Sequence, residues 1–324
     1  MIKNYYEGKR VLVTGGLGFI GSHLASKLRE LGAEVSLLDT RYTNPSNGPF
    51  VGVANLSHVA AAFSRYNPEI VFHLAAFTEV RRSHEVPYLA GVTNIQGTLN
   101  ILEACRSLGV QSLVVASSDK AYGYKQFHDL PYEEEQGLCT YGDWYSRTKR
   151  ITDLLSHDYA SLYKLPITVL RSANTYGPGQ TNQTTLITNT IIRLLSGKKP
   201  VLHKGYQGVA REWLYVEDAV KAYLWAGEWG PLVPTPLTER GQRAFNVGSG
   251  CSCSNLHIVQ ELLQMFGKPA DWYDLIDCPN VQIGDQWLDH SRLARAYKDW
   301  RPIELKEGLQ RTVDWYKSQT GAIA

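Results

Sequence analysis

Residues 9–21 read KRVLVTGGLGFIG. Lys9–Thr14 is a basic pair followed by an uninterrupted apolar run, which is how a strand covered on both faces reads. Gly15, Gly16, Gly18 and Gly21 then fall within seven positions. Ser22–Leu28 follows with apolar residues at helical spacing. Strand, glycine turn and helix in that order leave the N–H groups of the helix's first turn pointing past the strand end.

The same rhythm continues outward. Ala33–Leu38 (AEVSLL) reads as a strand closed by Asp39. A helix over Leu56–Tyr66 precedes a strand Ile70–Leu74, and a helix over Val92–Leu108 precedes a strand Ser112–Ala116. A helix from Trp144 precedes a strand Ile167–Leu170. Short strands alternating with helices mean βαβ units and a parallel sheet, and right-handed crossovers make it doubly wound. After Arg171 the rhythm changes. Asn174–Gln180 is turn chemistry, followed by a helix Leu186–Leu195, strands Val201–His203 and Glu212–Val216, and a helix Glu217–Trp225. Gly227–Gly241 reads as a loop, Ala244–Val247 as a strand, and Ser254 as the cap of a helix running to Phe266. The last helices are placed at Ser291–Tyr297 and Lys306–Lys317. The expected fold is α/β: a Rossmann-type doubly wound parallel sheet over residues 1–172, with return segments near 211–227 and 244–248. A smaller C-terminal substrate domain is expected over 173–324.

The 324 residues are 44% hydrophobic and 20% charged, enough apolar material for one large domain or two interlocked ones. A net charge of +2 without a basic block gives no case for nucleic acid. No apolar run reaches the roughly 18–20 residues a membrane span needs, and the N-terminus lacks the apolar core of a signal peptide, so a cytoplasmic enzyme is expected. The cysteines (Cys105, Cys139, Cys251, Cys253, Cys278) are odd in number and lack the spacing of a disulfide framework. Cys251 and Cys253 have only His257 nearby, so no metal site is expected.

Three constellations carry chemistry. The glycine run follows a strand and opens a helix, the setting in which backbone approaches a pyrophosphate and the helix N-terminus holds it. Asp39, ending the next strand, can accept both ribose hydroxyls of NAD and would repel a 2′-phosphate, so NAD is expected over NADP. Arg41 nearby weakens that preference slightly. The second is Tyr145-Ser146-Arg147-Thr148-Lys149. Positions i and i+4 share a helix face, so the Lys149 ammonium can stabilise a Tyr145 phenolate and turn a phenol into a base. Tyr5 and Lys9 match the same pattern but precede the first strand, away from the strand ends where ligands sit. Tyr145 is favoured by a place after the fifth strand. The third is Ser117-Ser118-Asp119-Lys120-Ala121-Tyr122-Gly123, where a charged pair follows a buried strand. Such charges are costly unless paired or used, and the plain alternative is a partly exposed ion pair contributing about 0–1 kcal/mol.

TGGLGFIG, Asp39, His73-Leu74-Ala75-Ala76, Ser117-Ser118, YSRTK, Arg171–Gly179 (RSANTYGPG) and Arg211–Asp218 (REWLYVED) come in one order. Together they resemble the extended short-chain dehydrogenase/reductase family, the NAD-dependent nucleotide-sugar epimerases and dehydratases of carbohydrate biosynthesis. The resemblance implies NAD held by Gly15, Gly18, Phe19, Ile20, Gly21, Asp39, Asn55, Leu56, Leu74, Ala75, Ala76, Ser117, Tyr145 and Lys149. It implies Ser118, Asp119, Lys120, Tyr145 and Lys149 as the catalytic set. It places Thr78, Asn174 and Arg211 on a nucleotide-diphosphate sugar. Asp119-Lys120 and Gln286–Asp289 resemble the 4,6-dehydratases acting on CDP-glucose and related sugars. In that chemistry Tyr145 takes the 4-hydroxyl proton, Asp119 protonates the 6-hydroxyl, and Lys120 takes the C5 proton or stabilises the enolate. The chain departs from the family at Asn55, where relatives often have Asp, and at Gln282, where many have an Arg. Trp144 is expected either to wall the sugar pocket or to belong to the core. Helices Val92–Leu108 and Trp144–Tyr163 form the dimer interface in many relatives, so a homodimer is expected, with Ile95, Leu99, Leu102, Ile151, Leu154 and Leu155 as candidates for it. The rivals to a 4,6-dehydratase are an NAD-dependent 4-epimerase, which has no need of an acid at C6, and a non-catalytic NAD-binding regulatory protein. The joint presence of Ser118, Tyr145 and Lys149 speaks against the last.

Overall fold

The computed structural model describes residues 5–41, 52–124, 130–138, 142–232, 243–278 and 284–320. In chain order the elements are β1 Arg10–Thr14, α1 Phe19–Glu30, β2 Glu34–Leu38, α2 Leu56–Tyr66, β3 Ile70–His73, α3 Val80–Glu85 and α4 Pro87–Gly91. A π-helical turn Val92–Gln96 leads into α5 Gly97–Leu108, β4 Ser112–Ser118 and a 3₁₀ turn Asp119–Tyr122. Next come α6 Trp144–Tyr163, β5 Ile167–Ser172, β6 Asn174–Tyr176, α7 Leu186–Leu195, β7 Val201–His203 and β8 Ala210–Tyr215. The chain continues with α8 Val216–Leu232, β9 Ala244–Val247, β10 Ser252–Ser254, α9 Asn255–Met265, β11 Asp274–Ile276, α10 Ser291–Ala296 and α11 Leu305–Thr320. No helix among the described residues is long and apolar enough to cross a membrane.

The chain divides into two compact units. Met1–Lys125, Glu134–Ser172 and Ala219–Asn246 make the first; Gln126–Glu133, Ala173–Asp218 and Val247–Ala324 make the second. The first holds a six-stranded sheet in the order β2-β1-β3-β4-β5-β9, parallel at each pairing from β2 through β5. Every residue of β3 and β5 is buried, which is why these strands read as unbroken apolar runs. Leu12, Val71, Leu113, Val115, Val169, Phe63, Ile101 and Leu102 share one core of the sheet and its helices. The second unit has a three-stranded sheet β10-β8-β6 and a β11-β7 pair. Its own core contains Trp213, Tyr215, Ile191, Leu262 and Val313.

The elements match the sequence reading closely, but Asn174–Tyr176, expected as turn, pairs with β8 as strand β6; β10 and β11 fall where no strand was expected, and three further differences stand out. The helix expected over Val92–Leu108 begins as a π turn and is preceded by α3 and α4. Tyr145 sits on a helix that follows the fourth strand and precedes the fifth. The loop expected from Gly227 is helical to Leu232. Gly227 is a packing residue: a Cβ there would lie 2.4 Å from Tyr6 Oη and 2.7 Å from Phe72 Cζ. Trp225, Trp229 and Phe245 stack around this end of α8 with centroids 5.0–5.2 Å apart. Residues 233–241, Cys139 and Gln282 lie outside the described residues.

The carboxyl ends of β4 and β5 are tied together by buried charge. Ser117 pairs with Arg171 and Ser118 with Ser172 in register. Arg171 is fully buried and donates from Nε and Nη2 to Asp153 of α6 at 3.0 and 2.8 Å. Ser117 Oγ donates to the same carboxylate at 2.6 Å. Arg171 Nη1 reaches Tyr122 Oη at 2.9 Å and the Glu134 carbonyl at 3.3 Å. Tyr122 Oη donates to Asn246 Oδ1 at 2.7 Å, and the Asn246 N–H donates to Glu134 Oε1 at 2.8 Å. Asp153 lies well below the usual carboxylate range: burial acts against its charge, and Arg171 and His157 outweigh it. Deleting one partner of a buried pair strands the other charge. Arg171→Met should therefore lower unfolding free energy by about 3–5 kcal/mol in urea titrations. Replacing Asp153 with Leu in the same chain should recover a substantial part of that loss.

Candidate active site

The glycine turn is built for close approach. Gly15 has φ +69°, and a Cβ on it would sit 2.7 Å from the Ala75 nitrogen. A Cβ on Gly21 would sit 2.1 Å from the Gly15 carbonyl oxygen, so α1 can pack onto the turn only with glycine there. Gly18 is the N-cap of α1 and supplies no side-chain bond, which leaves the first N–H groups of the helix to a ligand anion. Phe19 and Ile20 form that first turn. Asp39, buried at the end of β2, accepts the Leu17 N–H at 2.9 Å and the Arg41 N–H at 3.0 Å. Its carboxylate is thus aimed at the turn. Arg41 Nε stands 4.0 Å from it and leans toward Asp39 as an ion partner. Asn55 caps α2, its Oδ1 accepting from the N–H groups of Ser57 and His58, while Leu56 beside it is 54% exposed. The turn, helix terminus and carboxylate fit a dinucleotide.

A chain of buried polar side chains crosses behind the turn. Thr14 and His73 are partners in register and bond side chain to side chain at 2.8 Å. Thr98 Oγ1 donates to the Asn94 carbonyl at 2.6 Å, so it must accept from His73 Nε2, which lies 3.0 Å away. This assigns the Nε2–H tautomer and makes Thr14 the donor to Nδ1. Burial, reinforced by the Lys149 charge, pushes His73 down to about 3, so the ring is neutral. Asn94, in the π turn, accepts the Phe77 N–H at 2.6 Å and donates to Thr148 Oγ1 at 2.8 Å. It thereby joins the loop of Leu74, Ala75, Ala76 and Thr78 to α6. The Leu74 N–H donates to the Thr14 carbonyl at 3.1 Å and the Ala75 N–H to Thr14 Oγ1 at 3.2 Å; Thr78 is exposed.

Ser118, Asp119, Lys120, Tyr145 and Lys149 all belong to the first unit. Ser118 ends β4 and caps the 3₁₀ turn, its Oγ accepting the Lys120 N–H at 3.2 Å. The same hydroxyl donates to Asp119 Oδ1 at 2.9 Å and lies beside Tyr145. Lys120 Nζ pairs with Asp119 Oδ2 at 2.7 Å. Their side chains are 11% and 2% exposed, so this is a buried pair and not a solvated one at a strand end. Tyr145 and Lys149 share the inner face of α6. Burial, then the Asp119 carboxylate, raises the Tyr145 phenol above its ordinary value; the Ser118 hydroxyl acts the other way. Burial pushes Lys149 down to about 8, with Asp153 opposing. Lys149 Nζ donates to the Ala116 carbonyl at 2.8 Å. Ser117 gives its hydroxyl hydrogen to Asp153, which leaves its side chain only as an acceptor for a cofactor. Trp144 donates its indole N–H to the Pro87 carbonyl at 2.8 Å and is a brace between α6 and α4.

Asn174 and Arg211 lie in the second unit. Asn174 Nδ2 donates to the Glu212 carbonyl at 3.2 Å; Arg211 Nη1 donates to the carbonyls of Ala210 and Gly284. Gln286, Leu288 and their neighbours run beside β8, where buried Glu212 accepts the N–H groups of Gly250 and Leu288 at 2.8 and 2.9 Å. The Tyr5/Lys9 pair has unrelated partners: Tyr5 donates to the Gly227 carbonyl at 3.4 Å and Lys9 pairs with Glu69 at 3.0 Å.

Sequence reasoning missed the frame that holds this cluster: Asp153, Arg171, Asn246 and Glu134, and the clamp of Tyr124 on Asp143. Asp143 accepts from Tyr124 Oη at 3.0 Å and caps α6 through the Ser146 N–H at 2.8 Å. Two signals were present. Arg171 is a lone charge in an apolar strand, and Asp153 stands four residues after Lys149 on the same helix face.

A family model described as the NAD dependent epimerase/dehydratase family matches residues 11–248. A UDP-glucuronate 4-epimerase of Thermodesulfobacterium geofontis is 29% identical, over 94% of this chain and 95% of that protein. The solved UDP-glucose 4-epimerase of Thermotoga maritima with UDP-glucose is 28% identical with a TM-score of 0.83, over 96% of this chain and 99% of that one. A dTDP-glucose 4,6-dehydratase of Streptomyces venezuelae, solved with NAD, is 26% identical with a TM-score of 0.81, over 96% of this chain and 98% of that one.

The Lys149 ammonium is present below about pH 8 and is lost as pH rises through it. Substrate-driven cofactor reduction, read by nicotinamide absorbance, should fall on that alkaline side. In Lys149→Arg, whose guanidinium does not titrate there, any remaining activity should lack that limb.

Proposed function

This chain belongs to the NAD-dependent epimerase/dehydratase family, and from its site we propose that it is a nucleotide-sugar 4,6-dehydratase. That it is an enzyme using NAD follows from the family. The dehydratase reading rests on one observation: the Asp119 carboxylate is buried within the Ser118–Tyr145 cluster and held there by Lys120. A desolvated acid beside a catalytic phenol is costly to keep, and oxidation at C4 alone gives it no task.

NAD, which the glycine turn, Asp39 and Lys149 would hold, would supply a reversible hydride acceptor for the hydrogen of C4. Ser118 holds the sugar 4-hydroxyl and Tyr145 takes its proton. The resulting 4-ketone acidifies C5. Lys120 takes the C5 proton as an amine or holds the enolate as an ammonium. Asp119 protonates the 6-hydroxyl, which leaves as water. The product is a 4-keto-6-deoxy sugar nucleotide. Lys149 and Asp39 orient the nicotinamide and adenine riboses. In this reading Asn174 and Arg211 serve the diphosphate, for which a forked guanidinium is suited, and Thr78 serves the sugar. The smaller unit is the substrate domain. The reading includes a cytoplasmic homodimer through α5 and α6. Leu154 is 41% exposed and available to such an interface, whereas fully buried Leu102 serves the sheet core.

The second reading is an NAD-dependent 4-epimerase, favoured by the epimerase names of the relatives. It shares the oxidation at C4 and omits water loss.

Incubation with CDP-, GDP-, UDP- and dTDP-glucose or mannose, followed by product masses, separates the two. Loss of one water is expected; an unchanged mass with altered stereochemistry would make the enzyme an epimerase. Asp119→Asn should keep cofactor reduction and slow water loss by about 10²–10⁴-fold, the usual contribution of a general acid. Tyr145→Phe should abolish cofactor reduction with NAD still bound.

A further inference from the structure

On the reading that places NAD at the glycine turn and Asp39, the base end of the dinucleotide falls beyond Asp39. Helix α2 runs from the carboxyl edge of the sheet back to the start of β3, so its first turn stands at the edge that carries Asp39. The chain turn before it packs on the residue after Asp39: a Cβ on Gly52 would lie 2.9 Å from Thr40 Cγ2. Helix α5 fixes the same turn from behind. Buried Asn100 donates to the Val53 carbonyl at 2.8 Å and accepts from Gln96 Nε2 at 2.9 Å. Gly97 leaves space for Val53, since a Cβ on it would lie 2.6 Å from Val53 Cγ2. The Asn55 N–H closes the turn on the Gly52 carbonyl at 3.2 Å. Asn55 and Leu56 are exposed at its end.

The polarity of the Asn55 amide is set by the helix it caps. Its Oδ1 accepts the N–H groups of Ser57 and His58 at 2.9 and 3.3 Å. Turning the amide over would set Nδ2, a donor, against those two donors. The oxygen therefore stays on the helix, and Nδ2 is the atom left to meet a ligand. We propose that Asn55 makes the base subsite a hydrogen-bond donor, so that adenine is held at a ring nitrogen with its 6-amino group left to solvent, and hypoxanthine is held at its 6-oxygen.

The two bases differ along one edge. Adenine offers a 6-amino donor beside an N1 acceptor; hypoxanthine offers a 6-oxo acceptor beside an N1–H donor. An acceptor at position 55 would pair with the amino group and reject the oxygen. A donor there pairs with the oxygen and gains nothing from the amino group, because two donors make no bond. Leu56, exposed beside the amide, supplies an apolar surface that serves both bases alike. An aspartate at position 55 would cap α2 as asparagine does, with its second oxygen where Nδ2 now stands. That one change reverses the polarity of the subsite and keeps the cap.

The test uses the full-length chain, as wild type and as Asn55→Asp. Each is incubated with an equimolar excess of NAD and nicotinamide hypoxanthine dinucleotide until the bound ratio is constant. Unbound dinucleotide is removed, the protein is denatured, and the released dinucleotides are separated and quantified by liquid chromatography. The wild type should hold at least as much of the hypoxanthine form as of NAD. Asn55→Asp should shift the ratio toward NAD by about tenfold, the effect of one hydrogen bond exchanged for a mismatch. A wild type that holds mainly NAD overturns the proposal, and so does a ratio that Asn55→Asp leaves unmoved. Retention of neither dinucleotide by the wild type overturns instead the placement of NAD beneath it.

Discussion

The bidentate pair between Arg171 and Asp153 is the constraint on which the catalytic end of the first unit depends. Neither charge can remain in a core without the other. Once paired, they fix α6 against β5, and Ser117 on the same carboxylate fixes β4 to both. Tyr122 extends the hold to the 3₁₀ turn and, through Asn246, to β9. Ser118 and Asp119 leave the strand at a set point, and Tyr145 and Lys149 face it from a helix that cannot slide. Parallel strands bring their carboxyl ends to one edge; this network holds the side chains at that edge in a single arrangement.

The candidate catalytic cluster is a problem in desolvation. A phenol, a carboxylate and two ammonium groups are nearly removed from water, and each carries a partner that limits the cost. Lys120 balances Asp119, the Ala116 carbonyl receives Lys149, and Ser118 donates to Asp119 beside Tyr145. His73 next to Lys149 is kept neutral, which spares the site a third cation. Low dielectric strengthens each of these interactions, so a proton moved along one bond changes the state of its neighbours.

The parallel sheet was legible because buried strands leave apolar runs and Gly15–Gly21 marks the first turn. The candidate catalytic residues stood out because two short patterns fell at the ends of those strands. Tertiary contacts decided the rest. The π turn is stabilised by Asn94 reaching Phe77 and Thr148, partners remote in sequence. Gly227 reads as a loop residue from composition; it lies within a helix, and glycine fits there because Tyr6 and Phe72 leave no room for a side chain. Trp144, undecided between pocket wall and core, is fixed against α4 by its bond to the Pro87 carbonyl. Arg171 was visible as a motif residue, but its role required knowing which helix lies beneath it.

Asp39 holds two backbone N–H groups, that of Leu17 in the glycine turn and that of Arg41 just beyond β2. Leu17 and Arg41 are thereby fixed to the carboxylate that a ribose would meet. The entropy of ordering them is spent in folding, and little of it is recovered when a dinucleotide departs. Such a site favours slow release. An enzyme whose cofactor is oxidised and reduced within each turnover gains from that, since its redox partner then behaves as a fixed part of the protein.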